Sequence, residues 1–289
     1  MKNNLVVKKN PLVNARYKLN PLELKIILAV VGMIDKDDSD FWTYQIRVSD
    51  LDADYKNLQR AARSLMKRLF EIENDDGWVM MPWFSYMAYK KREGVLECHF
   101  DPKLKPYLLQ LKDNFTAYTL KSVLPMRSSY SIRIYELLKQ YETIGSRVFN
   151  LDELLQILQV PKSYHVWRAF SRRVLEPARK EINQYSDITI NYQPVKTGRK
   201  ITAINFRIAP NLKKLPLKQY IARVRAECVG ETLLRTIDKE TGKKIELSVS
   251  EKGYLYNKLD PYWKITHKRA QEIWQVMQDN EVCFEDIAE

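Results

Sequence analysis

The side chains best placed to do chemistry are a run of cations. Arg168, Arg172, Arg173, Arg179 and Lys180 occupy a stretch with two acids, Glu176 and Glu181. A guanidinium donates from a flat, permanently charged fork, so such a run binds anions and planar acceptors. The O6 and N7 edge of guanine is one acceptor pair of the right shape, and phosphate is another. If Trp167, Phe170, Val174 and Ala178 form the buried stripe of a helix, then Arg168, Arg172 and Arg179 fall within about 40° of one line, at roughly 100° per residue. Arg173 and Lys180 lie on one flank. The bland alternative is a solvated helix in which Glu176 pairs with Arg172 or Arg173, four and three residues before it. Five cations against two acids favour the binding reading. Pro177 cannot donate to the carbonyl of Arg173, so the helix must kink or restart there, which would turn Arg179 and Lys180 toward phosphate.

Other chemistries find no support. His99, His165 and His267 are scattered without partners at ligand spacing, so no zinc pattern is present. No glycine opens a phosphate loop; Ile237 stands where the loop ahead of Gly242-Lys243 needs one. No pair of histidines flanks a hydrophobic residue, which counts against a tyrosine nuclease despite 17 tyrosines. The acids from Asp35 to Asp40 and at Asp50, Asp52 and Asp54 sit beside helix ends, where capping explains them. The reading is of a protein without catalytic residues, metal or cofactor.

The elements that position the cations come in a repeated order. Asn20, Pro21 and Glu23 form an N-cap, first turn and capping box ahead of Leu24, Ile27, Leu28, Val31 and Ile34. A strand over Phe41 to Val48 follows, then a short helix capped by Ser49. A longer helix is expected from Tyr55 to Ile72, with Arg60, Arg63 and Lys67 on its outer face. Strands at Trp78 to Tyr89 and Val95 to Phe100 enclose the basic tip Lys90 to Gly94. The series then recurs. A helix capped by Ser128 or Ser129 precedes a strand at Arg147 to Phe149 and a helix from Leu151 to Leu158 with Asn150 and Glu153 at its start. The arginine-bearing segment Tyr164 to Tyr185 is next, and strands Ile188 to Pro194 and Ile201 to Ile208 close the series, with Lys196, Arg199 and Lys200 at the tip. Helix, strand, helix, turn, helix and basic hairpin is the order of a winged helix. The expected fold is therefore α+β: tandem winged-helix domains over 1–125 and 126–210, with a C-terminal extension over 211–289. In that extension Leu217 to Ala226 and Thr266 to Met277 read as helices, Thr241-Gly242 as a turn and Ile245 to Val249 as a strand.

Charge distribution supports the assignment of roles. The chain has 289 residues and a formal net charge of +12, and a basic globular protein implies a polyanionic partner. Residues 126–210 hold 14 basic and 7 acidic side chains, whereas residues 1–125 hold 20 and 16. The excess therefore gathers on the second module, which should be the main reader of double-stranded DNA. Three widely spaced cysteines, Cys98, Cys228 and Cys283, argue against a disulfide framework, and no uncharged apolar run approaches the roughly 20 residues of a membrane span. A cytoplasmic protein is expected.

Several runs resemble the iteron-binding initiators of theta-replicating plasmids, the family that includes the mini-F initiator. They are Val6 to Val13, Tyr17 to Leu19, Glu23 to Leu28, Leu154 to Pro161, Phe170 to Leu175, Glu181 to Asn183 and, above all, Ser129-Tyr130-Ser131-Ile132-Arg133-Ile134-Tyr135-Glu136-Leu137-Leu138. The resemblance covers about residues 5–210 and does not reach the extension. It implies a protein that binds direct repeats at a plasmid origin as a monomer and helps open the adjacent DNA. It also implies recruitment of the host initiator, helicase and loader, and repression of its own gene as a dimer joined through the first module. Arg168, Arg172 and Arg173 match the family's base-reading helix. The alternatives are a winged-helix transcription regulator, which a lone inverted repeat in a footprint would favour, a tyrosine recombinase, and an adaptor whose basic surface binds an acidic protein.

Overall fold

Asn20 opens the first long helix by the means its neighbours supply. Its side-chain oxygen accepts the Glu23 amide at 2.9 Å, and the Glu23 carboxylate accepts the Asn20 amide at 2.8 Å. The computed structural model describes residues 5–51, 53–74, 76–211, 232–237, 244–249 and 255–257. They belong to two units, one ending at Asn211 and the other beginning at Leu212. The first half of the larger unit runs β1 (Leu5–Lys9), α1 (Asn10–Asn14), α2 (Pro21–Val31), β2 (Tyr44–Arg47), α3 (Tyr55–Leu65), β3 (Leu69–Asn74), β4 (Gly77–Pro82), β5 (Phe84–Lys90), β6 (Val95–Phe100), α4 (Lys105–Leu108) and β7 (Phe115–Thr119). Helix α2 is buried on nearly every side, from Leu24 through Val30 apart from the half-buried Lys25.

Two expectations fail here. The helix starting at Tyr55 stops at Leu65 instead of Ile72, and Lys67 lies in the turn after it. From Leu69 the chain is a strand, because Phe70 and Ile72 alternate inward against Glu71 and Glu73, and the hairpin with β4 pairs Leu69 with Pro82 through Asn74 with Gly77. The expected single strand from Trp78 to Tyr89 is likewise two strands in two sheets. Pro82 has no N–H to extend the ladder, and Trp83 plunges into the core against Phe70 and Tyr17, with ring centroids 4.3 and 5.1 Å away.

The second half runs α5 (Ser129–Lys139), β8 (Ser146–Asn150), α6 (Leu151–Ile157), α7 (Trp167–Phe170), a π-helical turn (Ser171–Leu175), α8 (Glu176–Tyr185), β9 (Ile188–Thr197) and β10 (Lys200–Pro210). Two antiparallel sheets repeat one topology: β2-β6-β5 and β8-β10-β9 each place the last strand in the middle. With the helices before them they make two winged helices. A third pairing, β1 with β7, joins segments more than a hundred residues apart. In the second unit, β11 (Thr232–Ile237), β12 (Lys244–Val249) and β13 (Leu255–Asn257) form one antiparallel sheet. The strand expected at Ile245 to Val249 is β12; the expected helices at Leu217 to Ala226 and Thr266 to Met277 and the turn at Thr241-Gly242 lie outside the described residues.

Helix α5 ties the two halves together. Neither serine caps it with a side chain; Glu181 of α8 accepts the amides of Arg127 and Ser128 at 3.0 and 3.2 Å instead. Its buried Arg133 donates to the carbonyls of Val13 and Ala15, each at 2.8 Å, and lies 4.0 Å over the Tyr17 ring. The buried Glu136 receives Lys8 of β1, Arg133 and the Tyr118 hydroxyl. Burial alone would raise the Glu136 carboxyl, but Lys8 and Arg133 outweigh it and hold the group below the ordinary carboxylate range. At the other end Tyr135 and Lys139 both bond Asp187, at 2.7 and 2.6 Å, just ahead of β9.

Candidate nucleic-acid interface

The second winged helix builds its outward face from a short, well-capped support. Asn150 Oδ1 accepts the amides of Asp152 and Glu153 at 2.9 and 3.3 Å, which fixes the start of α6. Gln159 turns the chain with a φ of 47°, and the Val160 amide returns to the Leu155 carbonyl at 3.0 Å. After Pro161 and a single 3₁₀ turn, α7 begins at Trp167. Phe170, Val174, Leu175, Ala178 and Ile182 are all buried, so the segment from α7 to α8 presents its other side outward.

That side carries the expected cations. Arg168, Arg172, Arg173 and Lys180 are exposed, and Arg179 is half-buried. Arg168 and Arg172 form no ion pair among the described residues. Arg173 lies 5.1 Å over the Tyr164 ring. The pairs weighed from sequence, Glu176 with Arg172 or Arg173, do not form. Glu176 accepts Arg179 at 2.9 Å and the Tyr192 hydroxyl at 2.6 Å, and those two hydrogen bonds hold its carboxyl below the usual range. Its charge is thus spent on α8 and β9, and the outward arginines keep theirs.

Arg179 does not share the line of Arg168 and Arg172. Pro177 has no N–H to give the Arg173 carbonyl, and the helix resolves the conflict by widening: the Glu176 amide bonds the Ser171 carbonyl, five residues back. The extra residue in that turn rotates the remainder of the helix about its axis. Arg179 accordingly lines a recess at the base of the wing with Asn183, Asn191 and Arg207. The kink or restart expected at Pro177 is this π turn.

Beside the helix, β9 and β10 project as the wing. Gly198, with a φ of 62°, makes the tight turn, and Lys196, Arg199 and Lys200 are exposed around it. In the first winged helix Arg60 and Arg63 are exposed on α3, with Lys67 exposed in the turn beyond. Sequence reasoning missed three neighbours of this outward face. Lys162 is exposed in the turn before α7, next to Pro161, and its position between the two helices was the available signal. Tyr164 and Tyr192, which hold Arg173 and Glu176, gave no signal short of the fold. Among the described residues no cluster of three potential metal ligands occurs, and no helix is long and apolar enough to cross a membrane.

Comparison with known proteins fits this geometry. The model of the first winged-helix domain of the initiator replication proteins matches residues 5–139, and that of their second winged-helix domain matches residues 150–208. A replication initiation protein of Escherichia coli is 29% identical over 274 residues, spanning 88% of this chain and 81% of the relative. The PI protein of Escherichia coli is 30% identical over 155 residues, 47% of this chain and 51% of that protein. Among solved structures, the Pi initiator protein in complex with iteron DNA superimposes with a TM-score of 0.61 at 21% identity, over 72% of this chain and 98% of that one, a likeness of fold.

Proposed function

This chain belongs to the initiator replication protein family, and on that premise we propose that it binds direct repeats in duplex DNA at a plasmid origin and starts replication there. The observation that carries the reading is the pair Arg168 and Arg172, exposed and, among the described residues, without ion pairs on a helix whose other side is buried. Such arginines suit the guanine edge in the major groove, while Lys196, Arg199 and Lys200 on the wing suit phosphate. Arg173, steadied by Tyr164, and Arg179 and Lys180 beyond the π turn complete the footprint. The first winged helix, over 1–125, adds Arg60, Arg63 and Lys67 to neighbouring DNA.

In this reading the protein is a non-enzymatic cytoplasmic factor without cofactor. It recruits the host initiator, helicase and loader, and as a dimer represses its own gene. Self-association through the first winged helix is supported by an exposed apolar strip on β3 and β4, where Leu69, Trp78 and Met80 share the outer face. The function is tested by selecting duplexes from a randomised pool and footprinting the winning sequence in its native origin. Tandem direct repeats are the expected result; a single inverted repeat ahead of a gene would mark a transcription regulator instead.

A further inference from the structure

The phenol oxygen of Tyr192 touches both ends of the π turn. It donates to Glu176 Oε1 at 2.6 Å and lies 3.0 Å from Ser171 Oγ. Ser171 supplies the carbonyl, and Glu176 the amide, of the bond that defines the turn. Tyr192 itself belongs to β9, the first strand of the wing, and its ring packs edge-on against Trp167 and obliquely against Phe206, at 6.5 and 6.0 Å. One side chain of the wing therefore brackets the segment that includes Arg172 and Arg173 and comes just after Arg168. A π turn is rare, and relative to a regular helix it rotates the residues on either side against each other by roughly a quarter of a turn. Whatever holds it fixes the angle between the outward arginines and the wing cations.

We propose that Tyr192 is a positioning residue for base reading: its hydroxyl clamps the π turn and so sets the angle at which Arg168 and Arg172 are presented beside the wing. This rests on the base-reading role proposed for those two arginines. A phenylalanine at the same place keeps the ring packing and loses only the two hydrogen bonds, so Tyr192→Phe separates the clamp from the core.

The test uses the full chain and two duplexes at one salt concentration, one selected by the wild-type protein from a randomised pool and one unrelated. Tyr192→Phe should lower the ratio of the two affinities about tenfold, within the range that one bidentate base contact contributes, and leave the unrelated duplex bound as before. Ser171→Ala should lower the ratio in the same direction, and adding it to Tyr192→Phe should lower it little further. An unchanged ratio in Tyr192→Phe, with a reduced one in Arg172→Ala, overturns the clamp and leaves the reading helix standing. Equal losses on both duplexes also overturn the clamp, since they report general damage. An unchanged ratio in Arg168→Ala and Arg172→Ala removes the premise instead. Should Tyr192→Phe fail to fold, Ser171→Ala decides by the same ratio.

Discussion

At the scale of single residues, the proposed interface divides its cations into readers and anchors. Arg172 is exposed on the reading helix, so Arg172→Ala should cost about 1–3 kcal/mol on the selected duplex and relax base preference at one position, as a titration against single-base variants would show. Lys200, at the wing tip, should behave differently. Its removal should weaken all duplexes alike and reduce the slope of log affinity against log salt by about one, measured over a salt series. If Lys200→Ala changed base preference, the wing would be a reader too. The outward side of the helix was legible because Phe170, Val174 and Ala178 mark the inward one. The place of Arg179 was not, since steps of a regular helix cannot register a π turn; only Pro177 hinted at it.

At the scale of elements, α5 depends on one buried carboxylate. Glu136 answers Lys8 and Arg133 with no exposure of its own, so Glu136→Ala should destabilise the protein by about 3–5 kcal/mol in urea unfolding, because two cations lose their partner. The same site sets a pH dependence. The folded carboxyl titrates below its ordinary 4.5, so its contribution is complete above that value and declines as pH falls beneath it toward the folded pKa. Glu136→Gln should flatten that acid limb of the stability curve; an unaltered limb would mean other groups dominate it. Helix starts with side-chain caps, such as those at Asn20 and Asn150, were legible locally. The β3–β4 hairpin was not, because Leu65, Leu69 and Ile72 satisfy helical spacing while Phe70 and Ile72 satisfy strand alternation. The burial of Trp83 between tyrosine and phenylalanine decides it, and that contact is not local. The pairing of β1 with β7 was invisible for the same reason.

At the scale of the whole molecule, two winged helices share one chain with unequal charge. The second holds 14 basic and 7 acidic side chains over 126–210, and the first exposes Leu69, Trp78 and Met80, at 51, 67 and 48% of their surface. Trp78→Lys should shift the protein toward monomer in sedimentation at micromolar concentration while leaving its affinity for a single repeat unchanged; an unaltered mass would place self-association elsewhere. The tandem order was legible from the recurrence of helix, strand, helix, helix and hairpin, since both basic tips and both helix caps are written in the sequence. The proposed function requires Arg168 and Arg172 to meet base edges. The most direct measurement replaces each guanine of the selected duplex in turn with 7-deazaguanine, which lacks the N7 acceptor, and repeats the series with Arg168→Ala and Arg172→Ala. At least one guanine is expected whose replacement lowers wild-type affinity about tenfold and has no added effect in one of the two variants. Losses that persist undiminished in both variants, or no loss at any guanine, would contradict it.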